Sequence, residues 1–511
     1  MVKRTATETT NTEEGQAYAK VPATGPNAPR RSVSVDEMGE FEDEWEDDIE
    51  SDGEVVDGDD DDDESKMEVD EDVTPAAEDE DEQPNAPDVY LPGSHKLAED
   101  EVLEADQSVY EMLHQMGVSW PCLSFDVLRD GLGDNRQTYP ATAYVATGTQ
   151  ADVASKNEVM VMKMSRLSKT QKDDGDSDDS DDDSEVEDEE AIVEYRSIPH
   201  QGGVNRVRAQ PVPSLPSANT PYHVATWAET GKVHIWDVRP LIESLDVPGY
   251  TLPKPQSTKP VHTINQHGRT EGFGLDWGAP NAGVRLLSGD LDGRIFLTTA
   301  NQSSFTTNAS PFTGHTQPVE DIQWSPSETT VFASCSSDKS VKVWDVRAKG
   351  RKSAAQIARA HDSDVNVMSW NRGTSYLLVT GGDEGGIKVW DLRNLKGASA
   401  APPSPVAHFS WHNAPITSIE WHPTEDSIFA AAGSDDQVTL WDLSVEQDED
   451  ETGTKEIHTA NGQKLKDVPS QLLFVHQGQS DVKEVHWHPQ IPGCVVSTAF
   501  SGFNVFKTIS V

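Results

Sequence analysis

The stretch that most restricts the fold of this chain runs from Gly314-His315 to Trp344-Asp345. Within it, Val341 and Val343 alternate with polar positions as in a half-buried strand, and Ser337-Asp338-Lys339 has the composition of a tight polar turn. Histidine, aspartate and tryptophan at these offsets can join in one buried hydrogen-bond chain across four short strands. Such a small sheet cannot bury its two faces alone, so the sequence must repeat it.

The repeat is present along the chain. The Trp-Asp pair recurs at Trp236-Asp237, Trp344-Asp345, Trp390-Asp391 and Trp441-Asp442. Three further segments alternate apolar and polar residues without the pair: Glu158 to Met164, Gly293 to Thr298 and Gly502 to Lys507. Together these seven strands predict an all-β, seven-bladed WD-repeat β-propeller, accompanied by an N-terminal amphipathic helix and by a disordered acidic tail and loops.

Length and cysteine usage agree with one large domain. A propeller uses about 40–45 residues per blade, so the 511 residues fit a propeller over 118–511 plus tails. Cys122, Cys335 and Cys494 follow no zinc or disulfide spacing, which predicts a reducing compartment and no metal or cofactor. No apolar run approaches the ~18 residues of a membrane helix, and no signal-peptide core is present, so we expect a soluble intracellular protein.

The charge is concentrated in two segments. The chain has 90 acidic and 40 basic residues, for a net charge of −50. Residues 36–88 hold 29 acidic residues and one lysine, and residues 173–190 hold 13 acidic residues and no basic one. The rest, with 48 acidic and 39 basic residues, is only mildly acidic.

Residues 1–94 have too few apolar residues to offset the entropy of folding, so a disordered acidic tail is predicted. Within it, apolar residues interrupt the charge at regular spacing in the segment Phe41, Glu42, Asp43, Glu44, Trp45, Glu46, Asp47 and Asp48. One interpretation is a solvated tail with incidental apolar residues. The other is a short helix that forms on a basic, partly apolar partner and so captures a basic client.

Spacing and composition predict the remaining organisation. Apolar residues at helical spacing predict an amphipathic helix over 95–117 that ends at Gly117. A strand from Trp120 to Leu128 is expected to complete the last blade, which Leu472 to Val475 would open. Acidic insertions are predicted at 170–190 and 446–467. The first contains Ser177, Ser180 and Ser184 in an acidic context that favours phosphorylation.

Several motifs resemble those of a known family. They are Trp120-Pro121 after the predicted helix, Val204-Asn205-Arg206-Val207-Arg208, Phe312-Thr313-Gly314-His315 and Trp390-Asp391-Leu392-Arg393-Asn394-Leu395. Over residues 100–511 the chain resembles the histone-binding WD-repeat chaperones of the retinoblastoma-binding and chromatin-assembly family. The resemblance implies a groove for a basic helix, lined by Tyr110, Leu113, Met116, Asp448, Glu449, Asp450, Glu451 and Pro469. It also implies a peptide-binding channel face with Asn205, Glu320 and Asn366.

Two departures separate the chain from that family. Val468-Pro469 replaces a pair of prolines, and Gly203 stands where an acidic residue is expected. The long acidic tail and first-blade insertion resemble more closely the glutamate-rich WD-repeat proteins, whose fungal members act in ribosome assembly. This resemblance implies a monomeric chaperone for newly made large-subunit ribosomal protein L-three, acting on pre-ribosomal particles in the nucleus and nucleolus with cytoplasmic shuttling. Direct nucleic-acid or membrane binding is not expected from so acidic a chain.

Two alternatives remain open. A histone chaperone would use the same electrostatics for a different client. A substrate receptor of a cullin ubiquitin ligase would dock through Arg239, Arg347 and Arg393, each two positions after a Trp-Asp pair, although arginine there also caps the strand and packs on the next blade. An enzyme is not expected, since no nucleophile motif, phosphate-binding glycine loop or metal cluster occurs in the sequence.

Overall fold

The protein is described by a computed structural model over residues 105–170, 190–213, 220–250, 259–302, 304–395, 403–445 and 468–511. In these ranges the chain forms seven separate antiparallel sheets. Each sheet is one blade with four strands in a row, and one of the seven sheets has a short fifth strand. The innermost strands of neighbouring blades contact each other around the ring. The predicted seven-bladed β-propeller is therefore confirmed.

The first strand, β1 (Tyr110–Met116), follows a 3₁₀ turn at Gln107–Val109 and belongs to the last blade. From axis to rim, blade 1 consists of β2 (Ser124–Leu128), β3 (Ala141–Gly148), β4 (Glu158–Leu167) and β5 (Ile192–Pro199). Blade 2 consists of β6 (Val204–Ala209), β7 (His223–Ala228), β8 (Lys232–Asp237) and β9 (His262–Ile264). Blade 3 consists of β10 (Leu275–Trp277), β11 (Arg285–Gly289), β12 (Arg294–Ala300) and β13 (Phe305–Thr307), and β14 (Phe312–Thr313) also pairs with β12.

Blade 4 consists of β15 (Val319–Trp324), β16 (Val331–Ser336), β17 (Val341–Asp345) and β18 (Ala355–Ile357), and blade 5 consists of β19 (Val365–Trp370), β20 (Leu377–Gly382), β21 (Ile387–Asp391) and β22 (Ala407–Phe409). Blade 6 consists of β23 (Ile416–Trp421), β24 (Ile428–Gly433), β25 (Val438–Asp442) and β26 (Leu472–His476). Blade 7 consists of β27 (Glu484–Trp487), β28 (Cys494–Ala499), β29 (Gly502–Thr508) and β1. An α-helix, α1 (Arg239–Asp246), follows β8, and short 3₁₀ turns occur at Ala154–Lys156, Pro280–Ala282 and Leu392–Leu395.

The predicted histidine-to-tryptophan hydrogen-bond chain is present in blade 4. His315 contacts Asp338 through Nδ1 at 2.9 Å and Ser334 through Nε2 at 2.7 Å, and the Trp344 indole donates to the same serine at 2.8 Å. One buried chain therefore joins the loop that enters the blade to its second and third strands. Blade 5 repeats the arrangement with a glutamate, Glu384, as the acid.

The prediction of an N-terminal helix is wrong over 110–116. These residues form β1, which pairs antiparallel with β29, and a bulge lies between Tyr110 and Met112. The apolar spacing fits a bulged strand as well as a helix, and the open edge of β29 supplies the hydrogen bonds that decide between them. Residues 95–104 of the expected helix lie outside the described residues.

The expected roles of two other strands are also wrong. Residues 124–128 form the innermost strand of blade 1, and residues 472–476 form the outermost strand of blade 6. Both expectations came from assigning Trp120–Leu128 to ring closure. Alternation along a strand shows which side chains are buried but not which of four positions the strand takes, and β1 already closes the ring.

Hydrogen bonds between innermost strands join every blade to the next. In six interfaces a side chain of one blade accepts a backbone N–H of the following blade: Asp126 from Ala209 at 2.7 Å, Asp276 from Trp324 at 2.7 Å, Asp321 from Met368 at 3.2 Å, Ser369 from Trp421 at 3.1 Å, Glu420 from Trp487 at 3.0 Å and Glu484 from Phe125 at 2.7 Å. Between blades 2 and 3 the Trp277 indole donates to the Arg208 carbonyl at 2.9 Å. The axis of the propeller is therefore a continuous polar ring.

Apolar side chains fill the space between blades outside that ring. Cys122, Cys335 and Cys494 are among the buried residues, and all three are free thiols. None of the helices in the described part of the chain has the length and apolarity that crossing a membrane requires.

The role of β1 predicts the effect of mutating Tyr110. Its side chain is 4% exposed, and its hydroxyl contacts His476 Nδ1 at 2.7 Å. We expect Tyr110→Ala to destabilise the protein by about 3–5 kcal/mol, because a buried ring is removed, and Tyr110→Phe to cost about 1–3 kcal/mol through the unpaired imidazole. Denaturant unfolding measures both. Gln115→Ala, at an exposed position of the same strand, should stay within about 0.5 kcal/mol, and equal midpoints for all variants would contradict the role of β1.

Candidate functional site

The two faces of the propeller carry different loops. Because the strands of each blade are antiparallel, the loops after the first and third strands emerge on one face, which we call the lower face. Pro211-Val212 in blade 2 and Ala348–Ser353 in blade 4 belong to it. The turns after the second strands, such as Ser337-Asp338-Lys339, and the connections between blades lie on the opposite, upper face.

All three acidic parts of the sequence attach to the lower face. Residues 171–189 lie between β4 and β5, the third and fourth strands of blade 1, and residues 446–467 lie between the third and fourth strands of blade 6. The N-terminal tail leads into β1, whose first residue, Tyr110, pairs with Thr508 at the end of the third strand of blade 7. The three attachment points therefore belong to the consecutive blades 6, 7 and 1.

Direct contacts link these attachment points. The Thr170 N–H donates to the Glu111 carbonyl at 2.9 Å, and His114 Nε2 contacts the Ser168 carbonyl oxygen at 3.0 Å, so the start of the blade 1 insertion lies against β1. On the other side of β1, the rings of Tyr110 and Phe474 meet edge to face at 5.3 Å. The described ends of the acidic segments are thus neighbours on one side of the lower face.

The predicted groove differs from the structure. Tyr110 and Met116 are 4% and 5% exposed and pack in the cores on either side of blade 7, so the prediction that they line an open groove is wrong. Their side chains fill interblade space because the segment is a strand. Leu113 is partly buried, and Pro469 is partly buried with its carbonyl accepting the Leu472 N–H at 3.0 Å.

Several predicted residues lie outside the described residues. They are the acidic groove residues Asp448, Glu449, Asp450 and Glu451, the tail segment from Phe41 to Asp48, and the serines Ser177, Ser180 and Ser184. The described strands on either side of the acidic groove residues are β25 and β26 of blade 6, and those on either side of the serines are β4 and β5 of blade 1.

A cavity of about 400 Å³ opens at the lower end of the central channel. Its walls carry the following charged or ionisable side chains: Asp126, Asp276, Asp321, Glu420, Arg129, Arg206, Arg208, Arg372, Tyr222 and His486. Prolines of the lower loops, including Pro211 and Pro326, form its rim. The cavity lies on the same face as the acidic attachment points.

The charges around the cavity neutralise one another. Glu484 is fully buried and accepts hydrogen bonds from Arg206 at 2.8 Å and Arg208 at 2.9 Å, as well as from Ser124 Oγ at 2.7 Å. Burial acts to raise the pKa of Glu484, but the two guanidinium groups and His486 hold it well below its usual range. This carboxylate is therefore an ionised anchor that joins blades 7, 1 and 2.

His486 carries the opposite charge in the same network. Burial acts to lower its pKa, but Glu420, in contact with Nδ1 at 2.9 Å, and Glu484 raise the pKa to about 10. Burial also raises the pKa of Asp276 to about 7. The protonated His486, the guanidinium groups of Arg206 and Arg208 and a partly neutral Asp276 leave little unpaired negative charge in the channel, so these groups hold the blades together.

The three predicted channel residues occupy the upper end of the innermost strands. Asn205 Nδ2 donates to Glu271 Oε2 at 3.2 Å, and Glu320 accepts the Ser337 hydroxyl at 2.8 Å. The Asn366 amide donates to a carbonyl at the start of β23 at 3.3 Å. All three are bonded to neighbouring loops or strands and lie opposite the lower cavity, and a peptide-binding role for them stays a prediction.

Gly203 has a structural explanation that the sequence did not suggest. A Cβ on this residue would lie 2.5 Å from Gln150 Oε1, so the Gln150 side chain occupies the space that an acidic side chain would need. Gln150 Nε2 also donates to the Val204 carbonyl at 3.1 Å. The two residues are far apart in sequence, and only the contact of blades 1 and 2 reveals their relationship.

The three arginines after Trp-Asp pairs are not equivalent. Arg239 begins α1, pairs with Glu243 at 2.8 Å and has a side chain only 12% exposed. Arg347 and Arg393 are 67% and 63% exposed on the lower face of adjacent blades, and each pairs with the aspartate of its own Trp-Asp pair. Arg239 is therefore largely covered, whereas the other two present part of their surface to solvent.

Two family models match parts of the chain. The model for histone-binding protein RBBP4 and its counterpart in the CAF1 complex matches residues 100–168, from the segment before β1 through β4. The model described as EIPR1 beta-propeller matches residues 262–441, from blade 2 into blade 6. Both matches agree with the propeller fold.

Longer matches exist with whole proteins. The ribosome assembly protein rrb1 of Schizosaccharomyces pombe is 50% identical over 93% of this chain and 94% of its own length. Protein HEAT STRESS TOLERANT DWD 1 of Arabidopsis thaliana is 43% identical over 83% of this chain and 92% of its own length. Glutamate-rich WD repeat-containing protein 1 of Dictyostelium discoideum is 43% identical over 91% of this chain and 93% of its own length.

The buried imidazolium predicts a pH effect. Because the pKa of His486 is raised from 6.5 to about 10, its stabilising contribution is complete below about pH 6.5 and is lost as the pH rises through 10. We expect the thermal midpoint of the wild-type protein to fall more steeply between pH 7 and pH 10 than that of His486→Gln. Burial lowers the pKa of His422, so His422→Gln is the matched control and should keep the wild-type slope. Equal slopes for all three proteins would contradict a protonated His486.

Proposed function

The chain belongs to the family of glutamate-rich WD-repeat proteins that includes ribosome assembly protein rrb1, and on this premise we propose that it is a dedicated chaperone for a newly made basic ribosomal protein. We propose large-subunit ribosomal protein L-three as the client and pre-ribosomal particles in the nucleus and nucleolus as the destination. The attachment of all three acidic segments to the lower face of blades 6, 7 and 1 is the observation that carries the proposal.

The electrostatics support such a client. A ribosomal protein that has not yet met its RNA is strongly basic and binds any polyanion. Residues 36–88 and 173–190 together hold 42 acidic residues, and they compete with RNA phosphates through the same salt-sensitive attraction. The channel contributes little to this attraction, because Glu484 and Glu420 are paired with Arg206, Arg208 and His486. The channel aspartates accept backbone N–H groups of the next blade.

The proposed mechanism has two steps. The acidic tail and the blade 1 insertion first attract the client over a long range, and the rigid propeller then holds a defined segment of it. We assign the holding step to the part of the lower face around β1, and we propose Asp448 to Glu451, between β25 and β26 in the sequence, as its charged part. Nothing in this mechanism requires bond-making chemistry, so the protein acts as a non-enzymatic scaffold until the assembling ribosome removes the client.

The histone alternative has specific support and a specific difficulty. The match of residues 100–168 to the histone-binding family model supports it. At the upper face, however, Gln150 occupies the space beside Gly203 where that family is expected to carry an acidic side chain. Docking on a ligase adaptor is the third candidate, for which the exposure of Arg347 and Arg393 leaves two of the three expected contacts.

Affinity purification of the tagged protein from growing cells at moderate salt tests the proposal directly. A stoichiometric ribosomal protein without mature ribosomes is the expected partner. Core histones in equal amount would replace the proposal with the histone alternative. A cullin adaptor as the main partner would replace it with the ligase alternative.

Deleting residues 36–88 is expected to slow client binding. Long-range attraction raises association rates by about tenfold or more at low salt, so the deletion should lower the association rate and flatten its dependence on salt while changing the dissociation rate little. Stopped-flow or surface-plasmon measurements at several salt concentrations report both rates. The length-matched control keeps all residues of the segment but replaces its 29 acidic residues by their amides, and it should behave like the deletion. If the association rate of either variant depends on salt as the wild-type rate does, the capture step is contradicted.

Reversing charge on blade 6 tests the holding step. We expect Asp448→Lys with Glu449→Lys to raise the dissociation rate of the client, by about tenfold if one or two charged contacts are lost. The matched control reverses Asp152 and Asp362, two exposed carboxylates on the upper face. Wild-type affinity in the blade 6 variant would remove this region from the mechanism.

A further inference from the structure

A strip of basic side chains lies on the lower face of blades 4 and 5. Arg347, Lys349 and Lys352 belong to blade 4, in the connection between β17 and β18. Arg372 and Arg393 belong to blade 5, in the loop between β19 and β20 and in the 3₁₀ turn after β21. We call these five residues the basic strip, and all five are exposed. In a chain of net charge −50, such a group of positive side chains on one surface is unexpected.

Contacts between the two blades make the strip continuous. The 3₁₀ turn Leu392–Leu395, which carries Arg393, packs against β18, the strand that follows the blade 4 connection. The Arg393 guanidinium lies 3.6 Å from the centre of the Tyr376 ring, and the Tyr376 carbonyl accepts the Leu392 N–H at 2.8 Å. Tyr376 shares its loop with Arg372, which lies in the wall of the lower cavity. The strip therefore extends from the outer part of blade 4 to the mouth of the channel.

Three members of the strip offer charge. Lys349, Lys352 and Arg372 form no ion pair with any residue that the structure describes. The connection that carries the two lysines is anchored between them, because the Arg351 guanidinium lies 4.8 Å from the centre of the Phe312 ring. Lysine binds phosphate as a point charge, and arginine binds it through its planar fork. These three side chains are therefore suited to contacts with phosphate groups.

The other two members offer flat surfaces. Arg393 donates to Asp391 from Nε at 3.0 Å and from a terminal nitrogen at 2.6 Å, and Arg347 donates to Asp345 in the same way at 3.0 and 2.7 Å. These bonds use the edge of each guanidinium and neutralise its charge, but they leave its faces uncovered. One face of Arg393 rests on Tyr376, and the side chains of Arg347 and Arg393 are still 67% and 63% exposed. An exposed guanidinium plane is a surface on which an unpaired base stacks.

We propose that the basic strip binds single-stranded RNA. Lys349, Lys352 and Arg372 contact phosphates, and unpaired bases stack on the faces of Arg347 and Arg393. An acidic protein segment has groups for the three charges but none for the two flat faces, so the strip fits nucleic acid better. The net charge of the chain repels RNA at long range. At physiological salt, however, charges farther away than about 8–10 Å are largely screened, so the strip acts on RNA that is already close to the lower face.

Fluorescence anisotropy of a labelled single-stranded RNA 20-mer, titrated with the full chain at several salt concentrations, tests the proposal. We expect K349Q/K352Q to reduce the slope of log affinity against log salt by about 1.4, since each phosphate contact of a single strand contributes about 0.7. We expect R393K to weaken binding about tenfold and to keep the slope, because lysine retains the charge but lacks the planar face. Unchanged thermal midpoints verify that both variants are folded.

The matched control removes two charges from the upper face with K156Q/R359Q, at side chains that are 55% and 74% exposed. This variant should keep the wild-type affinity and slope. If it weakens RNA binding as much as K349Q/K352Q does, the attraction is not specific to the strip and the proposal is wrong. Absence of RNA binding at low salt would also overturn it.

A labelled glutamate 20-mer distinguishes RNA from an acidic protein. We expect the peptide to bind at least tenfold more weakly than the RNA, and R393K to leave its affinity unchanged. If the peptide binds as tightly as the RNA, or if R393K keeps the wild-type affinity for RNA, the strip is a docking surface for acidic proteins instead. The proposal goes beyond the chaperone function and does not depend on it, because the assay contains no client.

Discussion

The buried carboxylate of Glu484 is the contact on which the ring most depends. It is the point where the last blade meets the first, and it accepts hydrogen bonds from blade 1 through Phe125 and from blade 2 through Arg206 and Arg208. A propeller has no covalent closure, so one interface must join the two ends of the repeat array. Here that interface combines a paired buried charge at the axis with the pairing of β1 and β29 at the rim. Removing one partner of such a network leaves uncompensated charge in the core, which is far more costly than losing a surface pair.

Repetition made much of the fold predictable. All seven strands predicted from alternation are present, and each is the third strand of its blade. The alternation is local and recurs, and in four of the seven strands a Trp-Asp pair marks it. The position of β1 was not predictable from Val109 to Met116, since the same apolar spacing suits a helix and a bulged strand, and the partner strand lies almost 400 residues away. Gln150 against Gly203 escaped prediction for the same reason. The candidate site was predictable only in its charge, and its location on the lower face required the strand order.

The protein separates two uses of acidic residues. Inside the channel, carboxyls such as Asp321 and Glu420 are single, buried and hydrogen-bonded to the next blade, and they serve stability. The segments that carry most of the acidic residues in the sequence instead adjoin blades 6, 7 and 1, which are neighbours in the ring. A groove built on Tyr110 and Met116 would have required the closing strand to leave the core. The chain therefore has a net charge of −50 although the carboxyls at the propeller axis are bonded to neighbouring blades.

The closing strand has a consequence for synthesis. β1 is the first of the described strands to leave the ribosome, and its partner β29 is the last of them. The acidic tail is therefore translated long before the blade that anchors it can form. A chain that has not yet reached β29 contains the acidic sequence of its first part but cannot pair β1 with its partner. A ring that closes through β1 and β29 therefore forms only after β29 has been translated, so any activity that needs the closed ring must follow synthesis of that strand.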